Sequence, residues 1–446
     1  MSIVKNKMLQ RRAEEAEIIS NVSASHITLN EEEQEAANRI VIEISEEFSE
    51  ELRSNTILSI SDKISASISE KCSKLTGFSF LDQKRIEKSV VTTVLGNGPI
   101  QVYMDDPEVT EIVVQRYDNI VIERNGKIEQ AEAAFNSEEH LVTIIKRLIQ
   151  KAGRQINTMI PVENAAMEDG SRINATLPPV SVDGATLTIR KFSKTALTGY
   201  DYLRLGSLNK KMLGFLIQCV RGKICIFVSG STGTGKTTLL NMLSGYIPEE
   251  ELIITIEDTC ELRLQQRNVR RMQVRTSGSK EMMQIDQQKL VKEALRQRPD
   301  RIILGEARDG TIVDMISAMS TGHDGSMSTI HANDPYNMCN VRVPILYGMN
   351  KDARFSEKTI GMQLSEAVQI VVQIARLPDG SRKLTHISHL DGFDKYGHVN
   401  IRDIFLYDRK EADFKYTGYY PEKIVEKIRE KGVDFPSDFF GKEDSK

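Results

Sequence analysis

The stretch Ile224-Cys225-Ile226-Phe227-Val228-Ser229-Gly230-Ser231-Thr232-Gly233-Thr234-Gly235-Lys236-Thr237-Thr238 decides how this chain is read. From Gly230 to Thr237 it fits the pattern G-x-x-x-x-G-K-[ST] at every fixed position. The apolar run Ile224 to Val228 predicts a buried strand. Leu239-Leu240-Asn241-Met242-Leu243 predicts a helix. Strand, glycine loop and helix together give the pattern its physical meaning. Glycines let the backbone curl until successive N–H groups point at phosphate oxygens. The helix N-terminus adds partial positive charge. Lys236 is placed to reach the β- and γ-phosphates, and the Thr237 hydroxyl to hold Mg²⁺. Ser231, Thr232, Thr234 and Thr238 complete the cradle. The bland alternative, a flexible Gly/Thr loop, explains neither the spacing nor the Lys-Thr pair.

Outward from the loop, strand and helix patterns alternate. Strands are expected at 223–228, 252–256, 269–274, 301–304 and 326–330, and helices at 236–245, 285–298 and 311–321. This alternation predicts an α/β domain with a largely parallel sheet. Catalytic groups are then expected at the carboxyl ends of strands. Residues 356–376 are expected to form a further helix. Asp379-Gly380-Ser381 reads as a turn before a strand from Leu384 to His389.

A phosphate loop binds nucleotide but does not cut it. Hydrolysis also needs a carboxylate to position water, and a Mg²⁺ shell. Leu252-Ile253-Ile254-Thr255-Ile256 ends in Glu257-Asp258, and Arg301-Ile302-Ile303-Leu304-Gly305 ends in Glu306. Both acids are expected on the loop's edge of the sheet, with low pKa values beside the metal. Each alone reads equally well as an ordinary strand end. Glu306 stands where an aspartate is usual, so it suits contact with Mg²⁺ through water. In Thr321-Gly322-His323-Asp324-Gly325-Ser326-Met327-Ser328-Thr329-Ile330-His331-Ala332-Asn333, His331 can donate to phosphate or relay nucleotide state. His323 and His331 read otherwise as histidines satisfied by backbone bonds, and no compact ligand spacing supports a metal site there.

The chain has 446 residues, too many for one ordinary domain. Apolar content of 40% and charged content of 27% are ordinary for a soluble globular protein. The net charge of -4 gives no electrostatic case for a nucleic-acid partner. Five scattered cysteines without a C-x-x-C pair read as reduced thiols. No apolar stretch approaches membrane-spanning length, and Met1 to Lys5 opens no signal core. A cytoplasmic location is expected.

Residues 1–29 read as a polar, mobile tail. A helical module follows over 30–96, with Asn30 placed to cap its first helix. Gly96-Asn97-Gly98-Pro99 breaks it. A mixed α+β domain is expected over 97–192, with a hairpin turn at Asn125-Gly126 and an amphipathic helix from Glu138 to Ala152. A linker over 193–207 leads to the nucleotide domain, 208–446.

Several segments resemble a known family. Ile256 to Leu262 resembles the acidic box of the type II/type IV secretion and pilus-assembly ATPases. Arg298 to Arg308 resembles their atypical Walker B segment, and Gly322 to Asn333 their histidine box. Gly98-Pro99-Ile100, Asp106 to Ile112, Glu168 to Arg172 and Leu187 to Phe192 are similar to the N-terminal domain of the tight-adherence (Flp-type) pilus branch. Asp379-Gly380-Ser381-Arg382 and Gly432 to Pro436 are similar to its C-terminal part. The resemblance implies a RecA-like P-loop domain behind an α+β N-terminal domain. It implies an ATPase using ATP and Mg²⁺, working as a homo-hexamer docked on an inner-membrane platform protein. Lys236, Thr237, Glu257, Glu306, His323 and His331 fall on the family's functional positions. Arg190 falls where the family brings positive charge to the nucleotide; otherwise it is a surface strand end. A nucleic-acid translocase on the same core, with Arg267 to Arg275 or Arg296 to Arg301 lining its channel, remains the alternative. So does a nucleotide-gated scaffold without turnover.

Overall fold

The computed structural model describes residues 29–48, 57–124, 126–192, 196–275, 284–350 and 354–441. The expected mobile tail and Asn125 of the expected hairpin turn lie outside them, apart from Leu29. The chain divides into two compact units, Met1–Lys191 and Phe192–Lys446.

The first unit opens with helices Glu31–Glu47, Ile57–Ser73 and Phe80–Val94. Asn30 caps the first as its spacing predicts. Its side chain accepts from the Glu33 N–H, and the Glu33 carboxylate accepts from the Asn30 N–H, both at 2.9 Å. Ile40, Ile44, Ile64, Ile68, Ile86 and Val90 form the core of this bundle. A six-stranded antiparallel sheet follows, ordered β3-β2-β1-β6-β5-β4. Its strands are β1 (Val109–Arg116), β2 (Asn119–Arg124), β3 (Lys127–Gln130), β4 (Val162–Ala166), β5 (Arg172–Thr176) and β6 (Thr186–Arg190). Helix Glu138–Lys151 buries Leu141, Ile144, Ile145, Leu148 and Ile149 in the core that includes Ile112, Val114, Leu187 and Ile189 of the sheet.

The second unit is built on a nine-stranded sheet ordered β15-β14-β13-β12-β7-β11-β10-β8-β9. Its strands are β7 (Ile226–Ser229), β8 (Ile253–Glu257), β9 (Val269–Gln273), β10 (Arg301–Ala307), β11 (Met327–Ile330), β12 (Ile370–Arg376), β13 (Arg382–Phe393), β14 (Val399–Asp408) and β15 (Asp413–Tyr416). Pairing is parallel from β12 to β9 and antiparallel from β12 to β15. Alternate side chains of β7 feed two cores. Ile226 and Val228 pack with Leu239 and Leu243, while Phe227 packs with Ile256, Leu304 and Ile330. A strand covered on both faces must be apolar throughout, which is why 224–228 shows no alternation.

The expected helix over 356–376 is corrected. The helix spans only Glu357–Ala367, and Ile370–Arg376 is strand β12. The run Ile370-Val371-Val372 is β-branched and buried between β7 and β13. Burial on both faces removed the period that separates strand from helix.

Arg301 pins the amino edge of this sheet. It is 0% exposed and meets the Glu251 carboxylate with Nε at 2.6 Å and Nη2 at 3.0 Å. Its Nη1 donates to the Val220 carbonyl at 2.6 Å and the Gly325 carbonyl at 3.4 Å. No helix among the described residues is long and apolar enough to cross a membrane.

Candidate nucleotide site

The glycine loop leaves the carboxyl end of β7, between β11 and β12, and enters helix Lys236–Ser244. Gly233 and Gly235 hold φ of +72° and +94°, the left-handed region that glycine adopts without strain. A Cβ at Gly233 would meet nothing within 4 Å, so the bend faces open space. A Cβ at Gly230 would lie 2.5 Å from the Ile374 carbonyl, so this glycine lets β12 approach the loop. Thr234 donates from Oγ1 to the Ser231 carbonyl at 2.8 Å. Lys236 is buried, and its Nζ donates to the same carbonyl at 2.9 Å, across the mouth of the loop. The hydroxyls of Thr237 and Thr238 have no hydrogen-bond partner among the described residues.

Glu257 and Glu306 stand on the neighbouring parallel strands β8 and β10, where Ile256 pairs with Leu304. Gly305 makes room for Glu257: a Cβ there would lie 3.1 Å from Glu257 Cγ. The two carboxyls differ. Glu257 is 3% exposed. Its Oε2 accepts from the Glu261 and Leu262 N–H groups at 2.6 and 2.9 Å, while its buried Oε1 has no partner. Burial pushes its pKa up, against the pull of those two N–H groups. At Glu306 burial also pushes upward. The hydrogen bond and charge of Arg308, with Lys236 and His331, outweigh it and hold the carboxyl below the ordinary range.

His331 follows β11 and places Nε2 3.2 Å from Thr232 Oγ1. Ser231 donates from Oγ to Asn333 Oδ1 at 3.3 Å. The end of the histidine segment is thus tied to the loop. Burial, then the Lys236 charge, lowers the His331 pKa and favours the neutral ring.

His323 is not brought to the loop. It precedes β11, at the amino edge of the sheet, with Nδ1 3.3 Å from the Ala318 carbonyl. One strand thus separates it from His331. Arg190 ends β6 of the first unit, paired across the sheet with Glu111 and Arg172.

Two residues outside the expected set join the site. Arg308 bridges Glu306 and Asp258, at 2.9 and 2.8 Å. Arg382, at the start of β13, places Nε 3.4 Å from the Gly233 carbonyl. The Arg308 position lies two residues past Glu306, where a sequence reader could look. The Arg382 contact follows from the order of the sheet.

The residues fit a nucleoside triphosphate with its divalent ion. The loop faces open space, a buried lysine amine spans its mouth, and a buried carboxylate oxygen at the end of β8 lacks a partner. These are the donors and acceptors that phosphate oxygens and a hydrated cation call for.

A family model described as "Type II/IV secretion system protein" matches residues 94–408. An uncharacterized protein of Methanocaldococcus jannaschii is 38% identical over 239 residues, 52% of this chain and 33% of that protein. The type IV secretion system protein VirB11 of Bartonella quintana is 30% identical over 323 residues, 65% of this chain and 90% of that protein. Among solved structures, the VirB11 ATPase of the Brucella suis type IV secretion system is 28% identical. That match covers 68% of this chain and 95% of that one, with a TM-score of 0.37.

Proposed function

The chain belongs to the type II/IV secretion system protein family, and on that premise we propose that it is an ATP-hydrolysing motor for pilus assembly or protein secretion. The observation that carries this reading is one sheet edge holding Lys236 in its loop, Glu257 and Glu306 on adjacent strands, and His331 against Thr232. Lys236 and the loop amides hold the phosphates. Thr237 would hold Mg²⁺ directly, and Glu257 and Glu306 would reach it through water. The ion, when bound, offsets charge on the phosphate oxygens. Glu306 is the ionised carboxylate that orients the attacking water, since Arg308 keeps its pKa low. Glu257, with its raised pKa, fixes the acidic box through Glu261 and Leu262. His331 donates to phosphate or reports its presence to Asn333 and the loop.

The finer reading is a Flp-type pilus motor. It is cytoplasmic, works as a homo-hexamer and docks on an inner-membrane platform protein. Arg190 brings positive charge to the nucleotide. His323 acts away from the loop of its own unit. The domain limits at 30–96, 97–192 and 208–446 belong to this reading.

The direct test is steady-state ATP turnover by the purified full chain. Mg²⁺-dependent phosphate release is expected, and it is lost in Lys236→Ala. Binding without turnover, in an assembled ring, would favour a nucleotide-gated scaffold. Turnover stimulated by DNA, with steep salt dependence, would favour a translocase.

A further inference from the structure

Arg382 lies outside every motif that carries the proposed reaction, yet it touches the phosphate loop. The turn before it is tightly specified. Asp379 Oδ1 accepts from the Ser381 N–H at 2.9 Å and from Ser381 Oγ at 2.7 Å. Gly380 takes a φ of +85°, and the Leu377 N–H donates to the Ser381 carbonyl at 2.8 Å. This turn sets the register of the hairpin, with Arg376 opposite Arg382 and Ile374 opposite Leu384. From there Arg382 runs along the loop. Its Nε donates to the Gly233 carbonyl at 3.4 Å, and its Cδ would lie 3.5 Å from a Cβ at Gly235.

Arg382 is exposed and only partly engaged by protein. The terminal nitrogens of Arg382 have no protein partner among the described residues. That arrangement suits an anion bound beside the loop. A guanidinium anchored by one nitrogen presents its remaining N–H groups as a preset fork for phosphate oxygens.

The geometry points to Arg382 as a phosphate-contacting cation of the same subunit's nucleotide site, supplied by the β12–β13 hairpin. This assignment rests on the ATP-site reading above. It makes the hairpin turn a part of substrate recognition: Asp379 and Ser381 are positioning residues, acting through Arg382.

The test measures binding of ATP and ADP by calorimetry, and thermal unfolding without nucleotide, for the wild type, Arg382→Ala, Arg382→Lys and Lys236→Ala. Losing a charged hydrogen bond to phosphate weakens binding by about 10- to 100-fold. Arg382→Ala should show that loss for both nucleotides with an unchanged unfolding midpoint. Arg382→Lys should recover part of the affinity through its charge. Affinity within two-fold of wild type in Arg382→Ala would overturn the assignment while leaving the functional reading intact. So would a lowered midpoint with no recovery by lysine, which marks a loop brace only. A wild type that binds no ATP would overturn both.

Discussion

Arg308 lies 2.9 Å from Glu306 Oε2 and binds Asp258 through its other terminal nitrogen at 2.8 Å. Gln287 in turn donates to Asp258 Oδ1 at 2.9 Å. The carboxylate best placed to orient water is therefore held by a cation that the acidic box also holds. The ends of β8 and β10 are linked by this arginine as well as by the sheet.

The ionisation of Glu306 should depend on that cation. Burial alone would raise the Glu306 pKa, and Arg308 reverses the direction. In Arg308→Ala the pKa should rise, so the acid limb of the kcat/KM profile should move to higher pH. Activity would then fail at a pH where the wild type still works. A limb that does not move would assign acid inactivation to another group.

Lys236→Ala and Glu306→Gln should separate binding from chemistry. The first removes a charged donor to phosphate and should weaken ATP binding about 10- to 100-fold. The second should keep affinity and lower kcat by about 10²- to 10⁴-fold, the range for a lost general base. Equal losses of affinity in the two variants would contradict this division.

Gly305→Ala should perturb Glu257 through a single methyl group. The new Cβ would stand 3.1 Å from Glu257 Cγ, closer than ordinary contact. Glu257 must shift by a fraction of an ångström, and turnover should fall about 10-fold, since small misplacements at a reacting centre are costly. Wild-type turnover in a folded Gly305→Ala would show that Glu257 does not need its present position.

The buried pair at the amino edge should dominate stability. Glu251→Ala leaves the fully buried Arg301 guanidinium without its carboxylate, at a cost of about 3–5 kcal/mol. Replacing both by apolar residues, Glu251→Leu with Arg301→Met, should cost less than the single change. Urea unfolding of the two variants decides it. A single mutant as stable as wild type would mean that water reaches the guanidinium.

The loop, the strands at 226–229, 253–257 and 301–307 and the acids near the ends of the last two were legible because each depends on local chemistry. A glycine turn, an apolar run and a terminal carboxylate are readable within a few residues. Strand β12 was not, because Ile370 to Ile374 is buried on both faces and looks like the end of a helix. The roles of Arg308 and Arg382 were not, because Asp258 and Gly233, which they reach, lie far from them along the chain. His323 shows the converse. It shares a segment with His331, but β11 intervenes and carries the two to opposite edges of the sheet.

Arg301 fastens β10 to the approach to β8, to the end of helix Lys210–Arg221 and to the turn before β11. All of these ties lie at one end of the strands. The sheet is therefore clamped at its base by one buried ion pair, with the loop, Glu306 and His331 at the opposite end of the strands. Amide exchange with solvent should run along each strand accordingly, slowest at Ile302 and Ile303 and faster from Glu306 onward.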